Sequence, residues 1–200
     1  GLGDVYKRQF YHRHGHHRHG HHPGHHPGPP GDGVGEHGHF HLFLRAEGFP
    51  AGIAPLVLPE AALALPRVPP QGAPRRRGRS DKVAHLVAIA LDPSGTPIRL
   101  FTTNRWVTGE TWHRAADVVR MLERFVPRRA GPSALLDRWL GALVRLFEQE
   151  IAALLHQRDE TVTGWRRRSR ANVFENPRLE IPSSSAIDLE ARLAAAEAGA

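Results

Sequence analysis

An α+β fold, a small antiparallel sheet covered by two main helices, is predicted by a change of period along the chain. Three segments between residues 36 and 104 alternate or run apolar at strand length, whereas from Ala115 onward apolar residues recur every three or four positions. A third observation sets the N-terminal region apart. Of the 15 histidines, nine lie between His12 and His26 among Gly and Pro, with no apolar periodicity, which predicts a disordered His/Gly/Pro-rich segment.

The chain opens without Met on Asp4-Val5-Tyr6-Lys7-Arg8-Gln9, which resembles the translation of a transposon end used in sequencing libraries. Residues 1–9 are therefore expected to be a scar, with the true N-terminus and any signal peptide missing. The first expected strand is Glu36 to Arg45, with Phe40, Leu42 and Leu44 on one face and His37, His39, His41 and Phe43 on the other. Residues 46–80 are rich in Pro, Ala and Arg and read as a surface insertion of low order, apart from a helical turn near Pro59 to Leu65. A hairpin follows: Val83 to Leu91 is apolar on both faces, Asp92-Pro93-Ser94-Gly95 suits a type I turn, and residues 97–104 return. Helices are expected at 115–125 and, after the Pro127 to Pro132 break, at 133–158 with Ser133 as N-cap. The stripe of the second helix runs from Leu136 to Leu155, longer than three strands can cover, so a self-associating helical hairpin is the alternative to simple packing on the sheet. Residues 166–200 read as a basic run and a peripheral tail, with a short strand at Leu179 to Ile181 and an Ala-rich helix from Ile187 to about Ala198.

Composition removes several functions. Among 200 residues there is no Cys, which excludes disulfides, thiolate zinc sites and a Cys nucleophile. The net charge of +7 comes from 25 Arg and only two Lys, a bias of a GC-rich coding sequence, and the runs Arg75 to Arg79 and Arg166 to Arg170 lack interleaved aromatics. Nucleic acid is thus not the expected partner. The apolar stretch Gly52 to Pro66 is broken by Pro55, Pro59 and Pro66, so no membrane association is expected, and a cytoplasmic location follows. Neither a nucleophile elbow, a Walker loop nor a zincin motif is present, so the residues assign no reaction. Gly33-Val34-Gly35-Glu36-His37-Gly38 matches the dinucleotide fingerprint in letters, but a strand follows where a helix is required. His39-x-His41 with Glu47 approximates a cupin motif, yet the acid falls one position late and long helices replace the expected strands.

The histidine face of the first strand is the leading chemical candidate. Alternate residues on a strand lie about 7 Å apart on one face, a separation across which two imidazoles converge on one ion, whereas His37 and His41 would be about 13 Å apart. One adjacent pair from His37, His39 and His41 is therefore expected to act with a ligand from elsewhere. His85, at the start of the next strand, is that ligand, and Glu36 or Glu110 offers a carboxylate. Such a set suits one divalent ion, zinc, iron, manganese or nickel. A merely solvated polar face fits the same pattern. The second candidate is Leu100 to Trp112, where Asn104, Arg105 and Glu110 cluster as a ligand-binding set for a carboxylate or phosphate. The competing reading makes Trp106 and Trp112 core anchors, Asn104 a turn residue, and Arg105 with Glu110 an internal ion pair.

Gly35-Glu36-His37-Gly38-His39-Phe40-His41 and Leu100-Phe101-Thr102-Thr103-Asn104-Arg105-Trp106-Val107-Thr108-Gly109-Glu110-Thr111-Trp112, with the helix around Trp139 and Leu146-Phe147, resemble a bacterial family of uncharacterised proteins, a domain of unknown function. The resemblance covers about residues 36–165 and implies no mechanism. It also implies that Tyr11-His12-Arg13-His14 matches a preceding segment of the family, with the His/Gly/Pro repeat inserted between two strands, which would bring His12 and His14 near His37 to His41. The expected organisation is then 1–35 as scar plus low-complexity segment, 36–165 as one domain and 166–200 as tail. Two functions are carried forward: divalent-metal binding through strand histidines, and a non-catalytic interaction or homo-oligomerisation module built on the long amphipathic helix.

Overall fold

Strand β1 (Gly38–Arg45) pairs antiparallel with β2 (Val83–Leu91), β2 pairs with β3 (Pro97–Thr102), and β4 (Ser183–Ala186) closes the far edge, giving the order β1-β2-β3-β4. The computed structural model describes residues 35–56, 83–125, 133–169 and 171–199. Expectations for residues 1–34, Pro59 to Leu65, Arg75 to Arg79 and Pro127 to Pro132 lie outside these. The expected turn forms as its residues dictate: Asp92 Oδ1 accepts from the backbone N–H of Ser94 and Thr96, and Gly95 takes φ 89°.

Alternation sends Leu42 and Leu44 of β1, with Val87, Ile89 and Leu100, into the main core beneath the helices. The opposite face carries His39, His41 and Phe43 beside Ala88, Ala90 and Phe101. A bulge then changes the count. Leu42 lies opposite Val87 but Phe43 lies opposite His85, so Leu86 is the extra residue, and both Leu86 and Val87 join the core. An unbulged pairing would set His85 against Leu44 on the helix side. The extra residue instead places its imidazole in the row of His41 and Phe43.

After β3 the chain makes a single helical turn, α1 (Arg105–Thr108), capped by Asn104, whose side chain accepts from the Arg105 N–H. Gly109 ends it at φ 65°, in the left-handed region, with open space where a Cβ would lie. Gly109→Ala is therefore expected to cost about 1 kcal/mol through backbone strain alone. A denaturant midpoint unchanged by that substitution would contradict the assignment.

The helical layer comprises α2 (Ala115–Leu122), α3 (Ala134–Leu146), α4 (Glu148–Arg168) and α5 (Leu189–Ala198). The single helix expected over 133–158 is thus two. Phe147, at φ −106° and ψ 23°, interrupts it, and the second piece runs on to Arg168. The break is shallow because Phe147 N–H still reaches Leu143 O and Ile151 N–H reaches Phe147 O, so Leu140, Val144, Phe147, Ile151 and Leu155 remain on one buried stripe. Among the described residues, no helix is long and apolar enough to cross a membrane.

Parts of the expected insertion and of the expected peripheral tail make packing contacts. Within 46–56, Phe49 stacks edgewise on His113 with ring centroids 5.0 Å apart, and Leu56 N–H bonds Trp112 O. In the tail, Val173, Phe174 and Leu179 form a second core with Trp112 and Val162. The short strand expected at Leu179 to Ile181 lies instead at Ser183–Ala186. Its serines have no apolar alternation to announce a strand. Backbone pairing to the β3 edge makes it one, and Ser183 Oγ adds a 2.8 Å bond to Leu154 O of α4 and a 2.6 Å contact with Thr102 Oγ1.

Candidate functional site

The β1 face and the bulge together bring three histidines side by side. His41 Nδ1 lies 3.1 Å from His85 Nε2, and the ring centroids of His39 and His41 are 4.9 Å apart. All three residues are at most 9% exposed, bounded by Phe43 and Phe101. His37 lies immediately before β1, half-buried, with its backbone N–H bonded to Leu91 O.

Charged neighbours orient this row. Glu36 Oε1 is 3.1 Å from His39 Nδ1, and its other oxygen accepts from Arg99, whose guanidinium also lies 4.4 Å over the Phe101 ring. Burial would raise the Glu36 pKa, but the bonds from His39 and Arg99 and the charge on Arg99 together hold it at about 2. Burial, aided by the charges of His41, Arg158 and His39, pushes His85 well below the ordinary imidazole range, so its ring is neutral near pH 7. The ring pair therefore shares at most a proton between one donor nitrogen and one acceptor.

Glu110 approaches from the other side of β2. Below Ala88, β3 no longer pairs with β2, and the chain after Gly109 runs along the vacated edge: Glu110 Oε2 accepts from His85 N–H, and Thr111 N–H bonds Val83 O. Burial raises this carboxyl to about 7, against the lowering effects of the Arg158 charge and the His85 N–H. Glu110 thus meets the backbone of His85 and not its ring.

The residues of the expected ligand-binding set, Asn104, Arg105 and Glu110, each take a different partner within the fold. Asn104 is fully buried, its Nδ2 donating to Val173 O and its oxygen capping α1, while Arg105 pairs with Glu175. The direct partner of Arg105 is thus Glu175, while its charge still acts on Glu110. Trp112 is a core anchor, as the competing reading held, and Trp106 Nε1 donates to Leu179 O. Asn104, Arg105 and Trp106 thus hold the C-terminal region to the end of β3, whereas Glu110 is bonded to β2.

Sequence reasoning missed Arg158. It is 2% exposed, donates to His113 O at 2.7 Å, pairs with Asp159 and stacks 4.3 Å over the Trp112 ring. A signal was present: Ile151, Leu154, Leu155, Arg158 and Val162 occupy one helical stripe, so a cation stood in phase with buried residues and an acid followed it.

Among the described residues, no group of three or more His, Asp or Glu stands in an arrangement that could hold a metal ion. A model of the family described as Domain of unknown function (DUF6969) matches residues 3–187. No curated protein and no solved structure matches the chain.

Proposed function

The chain belongs to the DUF6969 family of domains of unknown function, and we propose that it binds one divalent metal ion through the ring nitrogens of His41 and His85, with His39 beside them. The 3.1 Å approach of His41 Nδ1 to His85 Nε2 carries this reading. Two imidazoles on a tetrahedral ion at about 2.0–2.1 Å per bond hold their nitrogens about 3.3 Å apart, so an ion replaces the shared proton with a small outward shift. His85 is already neutral, as a ligand must be. Glu36 fixes the His39 ring from behind, in the manner of the outer carboxylates that orient metal-bound histidines. Nitrogen donors of this kind suit zinc, iron, manganese or nickel, with water or an added ligand completing the coordination. His37 stays outside the proposed set.

The test is zinc titration of the full chain, purified without nickel resin, against a competing chelator. The parent is expected to hold one tight equivalent that both His41→Gln and His85→Gln abolish, while weaker binding by the His-rich segment is unchanged. Equal tight stoichiometry in parent and both variants, with circular dichroism showing all three folded, would overturn the proposal.

A further inference from the structure

The outer side of α3 offers a surface that the metal reading does not use. Trp139, Ala142, Leu143 and Leu146 of α3 form one wall of an apolar groove, and Leu189 and Leu193 of α5 form the other. Leu135, one turn before Trp139, is 70% exposed, and Leu193 is 44% exposed. The floor of the groove is shared with the main core, which includes Leu143 and against which Trp139, Leu146 and Leu189 pack, while Leu135, Ala142 and Leu193 at its mouth are exposed.

The second wall is equally unfinished. No residue of α5 is buried, and ten residues of helix are marginal in water unless packing supports them. It is attached by Leu189, which packs against the main core, and by polar contacts: Asp188 caps its start, and Arg192 reaches Leu146 O and Glu150.

Charge identifies the occupant. Arg138 and Arg145 are exposed on α3 and Glu190 and Glu197 are exposed on α5, each pair seven residues and thus about 10.5 Å apart along its helix. By helical position Arg138 and Arg145, each one residue before a groove residue of α3, flank its basic side, and Glu190 and Glu197, one and four residues after Leu189 and Leu193, flank its acidic side, with the same repeat. A two-fold axis through the groove brings the α3 rim of each copy against the α5 rim of the other, satisfying both pairings at once, as an isologous interface demands. We propose that the groove between α3 and α5 is a homodimer interface, with Leu135, Trp139 and Leu193 packing against their counterparts in a second copy.

Sedimentation equilibrium of the full chain over about two orders of magnitude in concentration tests this. A reversible dimer is expected, weakened at least about tenfold both by Arg138→Glu with Arg145→Glu and by Glu190→Arg with Glu197→Arg. An equimolar mixture of the two double variants is expected to regain parental affinity, because each then offers the rim the other lacks. Metal content is expected to be the same in all of them, which separates this outcome from that of the histidine site. A parent that stays monomeric, as it would if another part of its own chain filled the groove, overturns the proposal. So does a dimer indifferent to both double variants, or a mixture that fails to recover.

Discussion

Arg158→Met is expected to destabilise the fold by about 3 kcal/mol, among the largest effects of any single substitution away from the apolar core. Methionine preserves the stem that packs along α4, so the loss isolates the guanidinium. That group joins three parts of the molecule: it donates to His113 O, pairs with Asp159 through Nε and Nη2, and stacks on Trp112. Asp159 in turn accepts from the Ala115 N–H at the start of α2. Removing the cation leaves a buried carbonyl without its donor and a carboxylate without its counter-charge. Arg158→Lys is expected to recover less than half of the loss, because a point charge cannot serve His113 O and Asp159 together. A fall below about 1 kcal/mol in denaturant unfolding of the Met variant would show that the guanidinium is dispensable.

Glu110→Gln is expected to be more favourable relative to the parent at about pH 8 than at about pH 5, by roughly 2–3 kcal/mol. The sign follows from burial. Folding raises the Glu110 carboxyl from 4.5 to about 7, so between these values the folded chain holds a proton that the unfolded chain has released, and stability falls as pH rises. Glutamine keeps an oxygen for the His85 N–H and has no proton to lose. His85 acts in the opposite direction, since its depressed folded pKa makes stability fall as pH drops below 6.5. The parent curve is therefore flattened by cancellation, and only the difference between parent and variant, measured by unfolding at both pH values, exposes the carboxyl. A difference independent of pH would mean that Glu110 is ionised throughout.

The sheet and helices were legible wherever burial is written as a period. The alternation of Phe40, Leu42 and Leu44 marked β1, and the long stripe marked α3 and α4 except for their shallow break and the last ten residues of α4. Ser183–Ala186 was illegible because it is a strand by pairing alone. The histidine row was legible up to His41. His85 was chosen for its place at a strand start, but what carries its ring to His41 is the bulge at Leu86, and register is set across strands, not within one. Asn104, Arg105 and Glu110 were adjacent in the chain and polar, which is also how a segment looks when each side chain ties down a different neighbour.

The pairing of β3 with β4 has a consequence for biosynthesis. Thr102 and Ser183 are 81 positions apart, so at ordinary rates of translation the β3 edge waits roughly 4–16 s for its partner to be made. During that interval the nascent chain presents Leu100, Phe101 and an open row of backbone donors and acceptors, the template on which strands of neighbouring chains add. A polypeptide truncated just before Ser183 is therefore an aggregation-prone product, even though it contains all of α2, α3 and α4.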